Sequence, residues 1–182
     1  QPYLLPKEEY KDRLSLRFKI RSLVKICGAK LGIEEPQNAK ISLNGLNVPN
    51  RPDGWFVDKA IETVRLPDIF AGESVLEISL PIGERTNLEA FYLLGDFGVQ
   101  IEGCERVLTE PRRRLSFGDI TGQGLPFYTG NLEYGFRVRA SGAFTVRVPQ
   151  YRGGLIKVFL DGEDVGNIAY SPYTLRIDAG EG

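Results

Sequence analysis

Three acidic side chains, Glu89, Asp96 and Asp119, are the candidates for proton transfer in this chain, because it contains no histidine. Histidine is the commonest general base and a frequent zinc ligand, so its absence removes most nucleophile-activating and metal-hydrolytic schemes. Two carboxylates about 5 to 10 Å apart suffice to hydrolyse a glycosidic bond. Two of the three also have a simpler explanation. Glu89 stands where an apolar run begins and Asp96 follows Gly95 in a turn, positions where a carboxylate accepts local backbone N–H groups. Asp53 and Asp58 offer a structural calcium ion as an option, although Asp-x-x-x-x-Asp spacing is common and lacks the dense oxygen cluster calcium prefers. The reading is therefore a chain with no catalytic residues of its own and no cofactor beyond that calcium option.

Flat aromatic residues are the other chemically useful set. Trp55, in the Gly-rich stretch Gly54-Trp-Phe-Val-Asp58, either stacks on the apolar face of a sugar ring or plugs the end of a core. Tyr128, Tyr170 and Tyr173 flank turns, with Asn131 and Asn167 near enough in sequence to hydrogen-bond hydroxyl groups; packing between structural repeats is the competing role. Cys27 and Cys104 form no metal-type cluster and read either as two separate, buried or half-buried thiols or as one disulfide. Lys plus Arg number 23 against 24 Asp plus Glu, so no net field draws in nucleic acid or an anionic membrane. Arg112-Arg-Arg114 is too short for a nucleic-acid patch; it reads as a solvated junction or as a partner for acidic groups elsewhere. No apolar run approaches the roughly 20 residues that a membrane-spanning helix needs, and the opening residues lack the pattern of a signal peptide.

The elements that must carry these residues are strands. Leu14, Leu16, Phe18 and Ile20 alternate with Ser15, Arg17, Lys19 and Arg21, which puts one set on each face of a sheet. Leu76–Leu80, Phe136–Arg139, Phe144–Val148 and Ile156–Leu160 alternate in the same way. Asn44-Gly45 and Asp161-Gly162 sit between short apolar runs, as tight hairpin turns do. Four phrases recur in order. Phe18-Lys-Ile-Arg-Ser22 is echoed by Phe136-Arg-Val-Arg-Ala-Ser141, and Lys40-Ile-Ser-Leu-Asn-Gly45 by Lys157-Val-Phe-Leu-Asp-Gly162. Thr63-Val-Arg-Leu66 is echoed by Thr174-Leu-Arg-Ile177, and Ala71-Gly-Glu-Ser74 by Ala179-Gly-Glu-Gly182. The expectation is an all-β, antiparallel β-sandwich in tandem: a linker over 1–12, a first sandwich over 13–110 and a second over 111–182. The first copy continues past its last echo into further strand-like sequence. The second copy is therefore expected to be incomplete at its C-terminal side, and to lean on the first copy or on other polypeptide.

The runs Asn87-Leu-Glu-Ala-Phe-Tyr-Leu-Leu-Gly-Asp-Phe-Gly98 and Leu115 to Gly130, with Gly166-Asn-Ile-Ala-Tyr-Ser-Pro-Tyr173, resemble the galactose-binding-like jelly rolls of large bacterial glycoside hydrolases. The resemblance extends to the family two-type and α-L-rhamnosidase-like enzymes and covers nearly everything after residue 12. It implies a non-catalytic accessory region that supports a separate catalytic domain of the same polypeptide, with plant or host glycans as further partners. An independent carbohydrate-binding module is the second reading, and a carboxylate glycosidase the third. None of these phrases is a catalytic motif, and the sugar and the compartment stay open.

Overall fold

The structure is a computed structural model and describes residues 9–84, 86 and 88–178. The first part of the expected linker, Asn87 and the echo at 179–182 lie outside these. The chain is all-β and falls into two compact units, Gln1–Asn131 and Leu132–Gly182.

The first unit holds ten strands: β1 (Asp12–Ser22), β2 (Lys30–Glu34), β3 (Lys40–Leu43), β4 (Leu46–Val48), β5 (Pro52–Phe56), β6 (Asp58–Arg65), β7 (Gly72–Ile82), β8 (Tyr92–Leu94), β9 (Gly98–Glu102) and β10 (Glu105–Thr109). They form a six-stranded sheet in the order β4-β3-β7-β1-β10-β9 and a four-stranded sheet in the order β5-β6-β2-β8. Leu31, Ile33 and Val64 of the smaller sheet and Ile41, Leu43, Leu76 and Ile78 of the larger one share a single buried core. Each such aliphatic side chain contributes about 1.5–3 kcal/mol of burial. This is a sandwich, and its core residues are the inward halves of the alternating runs.

Sheet neighbours are antiparallel with one exception. β1 and β10 run parallel, with Arg21 opposite Val107 and Ser22 opposite Leu108, inside an otherwise antiparallel sandwich of the expected class. β7 accommodates Pro81 because β3 pairs with β7 only from Leu76 to Ser79; at Pro81 the edge away from β1 has no ladder to break. The segment after β10 groups with this unit, where the Val99 N–H donates to the Gly124 carbonyl at 2.8 Å.

The second unit holds β11 (Ala143–Arg147), β12 (Ile156–Leu160), β13 (Glu163–Ile168) and β14 (Thr174–Asp178), paired as two two-stranded sheets, β11-β14 and β12-β13. Both predicted hairpin turns form. Asn44 and Gly45 have φ of 51° and 77°, and Asp161 and Gly162 have φ of 50° and 90°, the two positive angles that a tight two-residue turn requires. Phe136 and Val138 do not form the strand their alternation suggested. They lie outside any strand and are 69% and 55% exposed. Ile168 and Ile177 are the buried hydrophobic side chains of this unit among the described residues.

Candidate functional site

Trp55 sits on the edge strand β5, opposite Glu62 of β6, between two irregularities of the ladder. It is 57% exposed, so it does not plug the core. Beyond it Val57 turns the chain at φ 62°, a conformation that a β-branched residue rarely adopts. Phe56 packs its ring 5.2 Å from that of Tyr92. Tyr128 and Asn131 are brought together through the backbone: the Tyr128 hydroxyl donates to the Asn131 carbonyl at 2.8 Å, and Gly130 lies under the ring where no Cβ would fit. Tyr170 and Tyr173 share one turn, in which the Tyr173 N–H donates to the Tyr170 carbonyl at 2.8 Å. Tyr170 projects with 86% of its surface exposed, whereas Tyr173 is half-buried with its ring edge-on to Tyr151 at 5.6 Å.

Asp119, Asp58 and Asp53 are occupied locally. Asp119 accepts from the Thr121 N–H at 2.9 Å and the Thr121 hydroxyl at 2.8 Å, just ahead of the short 3-10 turn Thr121–Gln123. Asp58 accepts from the Ala60 N–H at 2.8 Å. Asp96 stands exposed in the turn between β8 and β9. Asp53 is the most strongly held. Arg65 Nε approaches it at 2.6 Å, Lys30 Nζ at 3.0 Å and the Thr63 hydroxyl at 2.9 Å. The bonds from Arg65 and Lys30 outweigh the cost of burial and pull its pKa down to about 2. A cation at Asp53 would have to displace two resident ones, and among the described residues no three acidic or cysteine side chains gather as a metal cluster. Cys27 and Cys104 are both free and exposed, which corrects the expectation of buried thiols or a disulfide.

One end of the first sandwich opens as a cleft of about 250 Å³, where the start of β1, the end of β2 and the end of β7 meet the segment carrying Glu89 and Phe91. Tyr10, Leu14 and Phe91 supply apolar surface; Glu34, Glu35 and Asn38 supply hydrogen-bonding groups. Glu35 takes a left-handed backbone (φ 45°, ψ 53°) as it enters the turn Pro36–Asn38, and the Asn38 amide donates to its carboxylate at 2.8 Å, fixing where that carboxylate points. Aromatic surface beside oriented acceptors suits a polyhydroxylated ligand. Of this set the sequence reading singled out only Glu89. Glu34, Glu35 and Tyr10 join it through strand ends far apart in the chain, and no local spacing marks them. No family model matches the chain, and no curated protein or solved structure is significantly similar to it.

Proposed function

We propose that this chain is a non-catalytic accessory region of a bacterial glycoside hydrolase, built on galactose-binding-like jelly rolls, and that it supports the catalytic domain of its polypeptide. The observation that carries this reading is the second unit's exposed apolar surface. Phe136, Phe159 and Tyr170 are 69%, 57% and 86% exposed on a body that buries few side chains of its own. Large apolar side chains left this exposed are the kind that another protein surface covers. Deuterium exchange on the chain, alone and with a separately produced catalytic domain, tests it. Amides of β11 to β14 should exchange quickly alone and become protected in the mixture. Equal protection in both samples defeats the reading. A second reading, direct contact with carbohydrate, is favoured by the end cleft, where Tyr10 and Phe91 face the Glu35–Asn38 pair.

A further inference from the structure

The outer face of the six-stranded sheet carries a shallow trough of about 490 Å³ over β4, β3, β7 and β1. Alternation builds it. With Leu14, Leu16 and Ile20 as the half-buried set of β1, Ser15 and Arg17 stand exposed on the opposite face. The ladder then extends each into a row across the sheet. Ser15 faces Ser79, which faces Lys40; Arg17 faces Glu77, which faces Ser42, which faces Asn47. The middle of the trough is therefore the hydroxyls of Ser79 and Ser42 around the Glu77 carboxylate, and its opposite corners are the cations of Arg17 and Lys40. Two strand spacings across and two residues along separate those corners by about 12 Å.

We infer that this trough binds an acidic polysaccharide, a chain of sugars bearing carboxylates; the inference rests on the carbohydrate-contact reading above and names a sugar class and a second site for it. The charge on the trough is positive although the whole chain is −1. Arg17 Nε lies 3.7 Å from Glu77, beyond hydrogen-bond length, and Lys40 has no ion-pair partner among the described residues. Both cations are exposed; Lys40 is free to meet a carboxylate, and Arg17 meets one by sharing its loose ion pair with Glu77. Ser79 accepts from Arg13 and Ser15, and Ser42 donates to Glu77 at 3.4 Å, so the lining is a connected set of donors and acceptors that sugar hydroxyls would join, with Asn47 beside it. Aromatic rings are missing from the lining among the described residues. A neutral glycan, which depends on ring stacking, therefore finds less here than a charged one. The same lack disfavours single-stranded nucleic acid, which needs stacking platforms.

The test is calorimetric titration of the full chain with a polygalacturonate oligomer, a neutral oligosaccharide of equal length and a single-stranded oligonucleotide, at low and high salt. The uronate oligomer should bind, and its affinity should fall as salt screens the contacts. Arg17→Ala and Lys40→Ala should each weaken it about tenfold, with unfolding midpoints unchanged from the parent, as exposed sites allow. Equal binding of the oligonucleotide, or indifference of uronate binding to both substitutions, overturns the trough assignment. Binding of the neutral oligosaccharide alone overturns it too, while leaving carbohydrate contact standing. If no carbohydrate binds, both readings fall.

Discussion

Replacing Asp53 by Asn probes the strongest electrostatic feature of the first unit. The substitution keeps the shape and an acceptor for the Thr63 hydroxyl, but leaves Lys30 and Arg65 facing a neutral amide. Depression of the Asp53 pKa from 3.8 to about 2 corresponds to about 2.4 kcal/mol at 1.36 kcal/mol per unit. Its partners are well solvated, with the Arg65 and Lys30 side chains 79% and 36% exposed. Screening therefore reduces the contribution to about 1 kcal/mol. The sign follows from the direction of the shift: a carboxyl with a lowered folded-state pKa stabilises above its ordinary value and loses that stabilisation as pH falls through the folded-state value. The parent should exceed Asp53→Asn by the full amount at pH 7, and the gap should close between 3.8 and about 2. Urea unfolding followed by fluorescence of Trp55, the single tryptophan, reads the unit that holds the cluster. The midpoint should drop by about 0.3–1 M with the slope unchanged. A gap of zero at pH 7, or one that persists undiminished at pH 2, refutes the reasoning.

Two backbone positions give sharper structural tests. A Cβ on Gly98 would fall 2.7 Å from both the Glu110 carbonyl and the Thr109 hydroxyl, so Gly98→Ala should cost about 1–3 kcal/mol and lower the melting temperature of the first unit by several degrees; an unchanged melting temperature means β9 and the start of the following segment are not packed as described. Asn44 accepts from the Val75 N–H at 2.8 Å and donates to the Ser74 hydroxyl at 3.2 Å while holding φ at 51°. Asn44→Ala should therefore cost about 1–2 kcal/mol by chemical denaturation, and Asn44→Gly, which relieves the backbone but restores no side-chain bond, should fall between the two.

Legibility of the fold in the sequence depended on whether a signal was local. The alternation of Leu14 to Arg21 and the Asn44-Gly45 and Asp161-Gly162 turns are properties of one segment, and each appears where the residues place it. Phe136 to Arg139 alternates just as well and forms no strand, because alternation defines a sheet face only once a partner strand lies alongside. The apolar run from Leu88 to Leu94 yields a strand only over Tyr92–Leu94, the stretch that finds β2 as its partner. The parallel pairing of β1 with β10 left no trace in either segment. It follows from where a long connection returns the chain, and a parallel neighbour asks for no turn residues.

The candidate sites show the same division more severely. Glu89 is conspicuous in sequence as a carboxylate, yet its companions in the end cleft, Glu34 and Glu35, stand at and just after the end of β2, more than 50 residues earlier in the chain. In the trough each strand contributes only the polar half of an ordinary alternating pattern, so no segment looks unusual alone. Register makes the row, and the core sets register. Beside the polar row Arg17–Glu77–Ser42–Asn47 runs the apolar row Leu16–Ile78–Ile41–Val48, of which Ile78, Ile41 and Val48 are 1%, 1% and 2% exposed. Slipping β1 by one residue would turn Leu16 to water and Arg17 to the core. The burial that stabilises the sandwich is thus what aligns the hydroxyls and cations on its outer face. Because those polar side chains contribute little to that burial, Arg17 and Lys40 can be exchanged without moving the row. A loss of uronate binding on their replacement would then report on the ligand contact and not on the fold.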